Sequence, residues 1–167
     1  MNHIALLTFV ALASWPSIAV AEALPLPTTT PILVISGNIQ VSNVDGTAQF
    51  DRPMLEEMMD TVIDTRTPWF DGVSRFEGVL MAELMKRVGA AGETVTATAL
   101  NDYVTEIPLA DFEDFGVILA LKHDGEFMSV RDKGPLFIVY PYDDAPELQN
   151  QTYFGRSAWQ VATLTVR

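Results

Sequence analysis

The chain has 167 residues, 49% of them apolar, and a formal net charge of -12, which fits one domain with a sizeable core. The acidic surplus excludes nucleic acid, whose phosphates need a basic face, and disfavours anionic membrane surfaces. The lack of cysteine excludes disulfides, zinc thiolates, iron-sulfur ligation and thiol nucleophiles.

Residues 4–13 are an apolar run of signal-peptide length, broken by Ser14 and Pro16 and followed by Ala19-Val20-Ala21. This predicts a cleaved secretion signal over residues 1–21, with an uncleaved anchor as the alternative. The run is too short to span a bilayer. A periplasmic or secreted location follows. Residues 22–31 are Pro/Thr-rich and predict an extended leader, so residues 32–167 hold the domain.

Residues 32–36 predict a buried strand, and 47–50 a short second one after a turn at 43–46. Asp51 is placed to cap a helix with Pro53 in its first turn. Met54, Leu55, Met58 and Met59 then share one apolar face and predict core. Residues 61–65 predict the next strand. A polar turn with Arg66, Pro68, Trp69 and Asp71-Gly72 follows, and a Phe-Glu-Gly corner at 76–78 leads into a helix over 79–88. A Trp in a polar, Gly/Pro-punctuated loop either lids the core or binds a ligand. Gly89 ends the helix.

Residues 94–100 alternate as a half-buried strand and stop at Asn101-Asp102-Tyr103. Residues 108–115 predict a helical turn and 117–122 a strand. Asp124-Gly125 predicts a hairpin into 127–130. Lys133-Gly134-Pro135 turns into a strand over 136–140, residues 143–151 are polar loop, and 158–166 close the chain as a strand. Strands dominate, with short helices between them. The expected class is α+β, with a mixed β-sheet or barrel-like core.

Little familiar chemistry fits. His123 is the one histidine after residue 21 and is expected to be an exposed turn residue. There is no Gly-x-Ser-x-Gly elbow and no phosphate-loop pattern. Asp143-Asp144 predicts a solvated acidic loop. What remains gathers where strands end: Arg66, Trp69, Asn101, Asp102, Tyr103, Lys133 and the YFGRSAW segment of residues 153–159. Cations, amide and carboxylate groups, and aromatic faces suit a flat, hydrogen-bonding ring system.

The motif order is SGNI at 36–39, then TPWxDG with FEGVLMAELMKRVGA, then ALNDYVTEIP, DKGPLFIVYP and YFGRSAWQV. It resembles the oxidoreductase molybdopterin-binding domain, the sulfite-oxidase fold, and most closely its short stand-alone members. In the molybdenum enzymes of that superfamily, a Cys after the strand matching residues 61–65 binds the metal. Here the place reads Thr65-Arg66-Thr67. Hydroxyls and a guanidinium are poor substitutes for a soft sulfur ligand. The resemblance therefore implies a surviving pterin pocket without the redox metal, and a protein that is not an enzyme.

Secreted members of this kind act as pterin sensors for a membrane-bound cyclic-di-GMP synthase or phosphodiesterase, which implies such a partner. On the resemblance, Trp69, Tyr103 and Trp159 stack on the pterin or wall its pocket. Asn101 and Asp102 meet its pyrimidine edge. Arg66 and Arg156 hold an anionic tail or ring carbonyl, and Ser157 follows Arg156 in the same motif; Lys133, singled out above as a cation at a strand end, completes the candidate set. The alternative is a molybdopterin-dependent oxidoreductase, or a subunit of one.

Overall fold

A computed structural model describes residues 23–167; the expected signal segment lies outside the described residues. In chain order, β1 (Leu33–Gly37) and β2 (Ala48–Phe50) precede α1 (Arg52–Met58). The hairpin β3 (Thr61–Thr67) and β4 (Phe70–Leu80) leads into α2 (Met81–Arg87). Next come β5 (Thr94–Ala99), β6 (Val104–Pro108), α3 (Leu109–Phe115), β7 (Ile118–His123) and β8 (Glu126–Phe127). The chain closes with β9 (Phe137–Val139), α4 (Gln151–Arg156) and β10 (Val161–Val166).

Two sheets result. One runs β2-β1-β10-β5-β6; the other runs β3-β4-β7-β8, with β9 also on β7. The first is mixed, because β1 and β10 are parallel while its other pairs are antiparallel. Among the described residues the sheets do not close into a barrel. They meet where Phe137 of β9 bridges Trp159, just before β10. This is the α+β class expected from the sequence.

Local chemistry explains most elements. Asp51 caps α1 by accepting the Met54 N–H at 3.1 Å. Asp124 and Gly125 both have positive φ (50° and 85°), the backbone a two-residue β7–β8 hairpin requires. Leu55 is buried, and Met54, Met58 and Met59 pack against the main core, as their spacing predicts.

Three expectations need correction. The polar loop and corner over residues 66–78 are instead a tight turn and a long strand, β4, paired with both β3 and β7. The buried face of β4 at Ser74, Phe76 and Gly78 has the strand period of two, masked in the sequence by Asp71-Gly72 and Glu77-Gly78. Gly78 is required there, since a Cβ would lie 2.2 Å from the Leu119 carbonyl oxygen. The helix consequently starts at Met81, not Val79. His123 is not an exposed turn residue: its side chain is 21% exposed and its ring lies 4.2 Å from Phe70 and 5.0 Å from Phe76. Strand β6 and helix α4 were not expected at all.

The leader is fastened by the same carboxylate that caps α1. Asp51 Oδ2 accepts the backbone N–H and hydroxyl of Thr28 and of Thr29, at 2.7 to 3.2 Å. Burial opposes ionisation, but the N–H groups of Thr29, Met54 and Thr28 outweigh it and hold the carboxyl at about 2, below its ordinary 3.8. A depressed pKa contributes stability above pH 3.8 that is lost as pH falls through about 2. Between pH 4 and pH 2 the wild type is therefore expected to lose more thermal stability than Asp51→Asn. Amide exchange at Thr28 and Thr29 should accelerate over the same window. Parallel acid limbs for the two proteins would refute the assignment.

Candidate functional site

A cluster of aromatic rings forms around Trp69 and Trp159. Trp69 sits in the β3–β4 turn, where its N–H meets the Thr67 hydroxyl at 3.3 Å. Its indole packs edge-to-face against Phe137, Trp159, Phe154 and Tyr142, with centroids 5.4, 5.5, 6.1 and 6.4 Å away. Trp159 is placed by the Phe137 bridge. Of the two tryptophans, Trp69 packs against both the main core and the smaller cluster around Phe76 and Phe137, and Trp159 against the smaller cluster.

Between them opens a cavity of about 270 Å³, lined by Trp69, Asn101, Tyr103, Ser157 and Trp159 together with Gln151, Phe154, Gly155 and Ala158. None of these side chains is charged at neutral pH. Asn101 lines the cavity from the β5–β6 turn, in which Asp102 adopts a left-handed φ of 64°, a conformation Asp tolerates. Asn101 Oδ1 accepts the Tyr103 N–H at 3.1 Å, which leaves its amide N–H groups for a ligand. The Tyr103 hydroxyl donates to the Gly155 carbonyl at 2.7 Å and ties the β5–β6 turn to α4.

Helix α4 is held from behind. Asp111 Oδ2 accepts the Tyr140 hydroxyl and Arg156 Nη1, both at 2.7 Å. The Tyr142 and Ser157 hydroxyls bond to each other, and Ser157 donates to the Tyr153 carbonyl at 3.0 Å. Burial pushes both phenols above the ordinary tyrosine value, reinforced at Tyr140 by its bond to Asp111. Tyr140 and Tyr142 therefore act as neutral donors and structural supports.

The structure brings five of the residues named from the sequence to the cavity wall: Trp69, Asn101, Tyr103, Ser157 and Trp159. The four charged ones stand outside it. Arg66 bonds Asp143 at 3.1 Å and lines a neighbouring hollow of about 290 Å³, which shares Phe154. Arg156 is engaged by Asp111. Asp102 sits in the turn behind Asn101. Lys133 places its ammonium 4.5 Å from the Trp159 ring centroid and 5.6 Å from that of Phe70. Gln151, Phe154, Gly155 and Ala158 were not singled out, although three of them lie inside the YFGRSAW segment and the fourth opens the same helix.

One mixed and one antiparallel sheet with few short helices give a sulfite-oxidase-type fold. The family model for the oxidoreductase molybdopterin binding domain matches residues 52–143, more than half of the chain, so the chain belongs to that family. The fold is similar to that of the sulfane dehydrogenase SoxCD from Paracoccus pantotrophus, with a TM-score of 0.59 and 17% identity. That likeness covers 80% of this chain but 37% of the dehydrogenase chain. No curated protein matches the sequence.

The residues at the expected metal position do not fit molybdenum. Thr65 is buried, and its hydroxyl accepts the Asp143 N–H at 3.0 Å. Arg66 is a cation already paired with Asp143. Neither supplies the soft thiolate such a metal takes. The cavity does fit a flat heterocycle, with aromatic faces around it and uncharged amides at its rim.

Proposed function

We propose that the protein is a periplasmic pterin-binding protein without molybdenum redox activity, which reports ligand occupancy to a membrane-bound cyclic-di-GMP enzyme. The observation that carries the binding reading is the uncharged cavity walled by Trp69, Trp159, Tyr103 and Phe154. A pterin ring leaving water for those faces gains both apolar burial and ring contacts. Asn101 and Gln151 match its lactam and amino edge, since a carboxamide both donates and accepts. The metal-free part of the reading is supported by the hydroxyls and guanidinium of Thr65, Arg66 and Thr67. The location rests on residues 1–21, and the signalling partner on the resemblance to small secreted pterin sensors.

A second reading is favoured by the family's description as an oxidoreductase domain: a molybdopterin-dependent enzyme, or a subunit of one. It requires a metal ligand from elsewhere.

The binding reading is tested by titrating 6-hydroxymethylpterin into the protein. The wild type is expected to bind, and Asn101→Ala to bind about 3- to 10-fold more weakly, the effect of one neutral hydrogen bond. Asp102→Ala, outside the cavity, should bind within about twofold of wild type if the turn holds. Folded wild-type protein that takes up no pterin would sink the reading.

A further inference from the structure

We propose that Lys133 is a positioning residue that acts on the ligand through Trp159: its ammonium, clasped between the Trp159 and Phe70 rings, fixes the indole as a stacking wall. The proposal rests on the pterin-binding reading above. Lys133 does not line the cavity, so the proposal gives it an indirect role rather than a direct ligand contact.

The turn that carries Lys133 is tightly built. The Ser129 hydroxyl donates to Asp132 at 2.6 Å, and the Gly134 N–H donates to the Ser129 carbonyl at 2.7 Å. A Cβ on Gly134 would lie 2.2 Å from the Met128 carbonyl oxygen. Lys133 itself has a left-handed φ of 69°, unusual for a residue with a Cβ. The turn is stitched to the residue after the indole. The Gln160 N–H donates to the Lys133 carbonyl at 3.0 Å, and Gln160 Nε2 donates to the Val130 carbonyl at 2.7 Å. These bonds fix the backbone on both sides and leave the indole's rotation to be set by its neighbours.

The ammonium adds to the constraint that the Trp69 and Phe137 rings place on the indole. The sequence has 22 acidic residues against 10 Lys and Arg, so carboxylate partners are plentiful. Among the described residues, Arg66, Arg75, Lys86 and Arg156 each take one. Lys133 instead faces two aromatic rings within 6 Å, the range in which a cation is attracted to a ring face. One cation bridging Phe70, at the start of β4 and next in sequence to the wall residue Trp69, and Trp159, before β10, ties these two segments together. Without it the indole keeps more freedom, which the ligand must remove on binding.

The experiment titrates 6-hydroxymethylpterin into the wild type, Lys133→Met and Lys133→Arg. The near-ultraviolet circular dichroism of Trp159 is followed in each without ligand, with Trp159→Phe as the blank. Lys133→Met keeps the stem and removes the charge; it is expected to bind about fivefold to tenfold more weakly and to lose part of the Trp159 band. Lys133→Arg keeps a cation and should stay within about twofold, with the band retained. Unchanged affinity in Lys133→Met overturns the proposal, as does weaker binding with an unaltered Trp159 band. A loss confined to 6-hydroxymethylpterin monophosphate also overturns it, because that marks a direct anion contact. If the wild type binds no pterin, the pterin reading fails while the Trp159 band still decides the clasp.

Discussion

Asp111→Ala is expected to cost about 2–4 kcal/mol of stability, as a buried acceptor shared by two donors is removed. The Asp111 side chain is 10% exposed and that of Arg156 is 23% exposed, while Tyr140 is fully buried. Truncation leaves the Tyr140 phenol without its acceptor and strands the Arg156 guanidinium. The partial exposure of Arg156 places the cost below that of a fully buried pair. For a chain of this size the melting temperature should fall by about 5–12 °C. Tyr140→Phe in the Asp111→Ala background should add little, because its partner is already gone. Asp111→Ala within about 0.5 kcal/mol of wild type would show that solvent replaces the network. Function is coupled to this result, because the network braces α4, and α4 supplies Gln151, Phe154 and Gly155 to the cavity.

Phe137→Ala is expected to cost about 3–5 kcal/mol, the range for emptying a buried aromatic site. Phe137 is fully buried and its ring lies 5.4 Å from Trp69, 5.8 Å from Phe76 and 6.3 Å from Trp159. It also makes the bridge by which the two sheets meet. The space left behind is bounded by both tryptophans, so their emission should shift to the red and pterin affinity should fall with stability. Urea unfolding measures the first effect and fluorescence the second. A loss below about 1 kcal/mol would mean that the surrounding rings collapse into the gap.

The sequence was legible where chemistry is local. Asp51 and Pro53 announced α1, Asp124-Gly125 announced the β7–β8 turn, and the Thr/Val alternation announced β5. It was illegible where tertiary contacts decide. β4 carries two Gly-containing breaks, yet pairing on both edges keeps it extended. Helix α4 has six residues, too few to fold on propensity alone. The Asn150 cap on the Thr152 N–H and the Asp111 tie secure it.

The site divides along the same line. Trp69, Asn101, Tyr103, Ser157 and Trp159 were conspicuous as aromatic and polar residues at strand ends, and all line the cavity. The partners of Arg66 and Arg156 lie 77 and 45 residues away in sequence. Nothing in their neighbourhoods reveals that those charges are already neutralised. Likewise Lys133 was conspicuous as a cation where a strand begins, while its ring partners emerge only in three dimensions.

The measurement that bears most directly on a metal-free pterin protein is mass spectrometry of whatever copurifies with it, with molybdenum assayed on the same sample. The account predicts a pterin that leaves on denaturation and no stoichiometric molybdenum. Molybdenum at one atom per chain, carried by a pyranopterin, would contradict it and return the protein to redox chemistry.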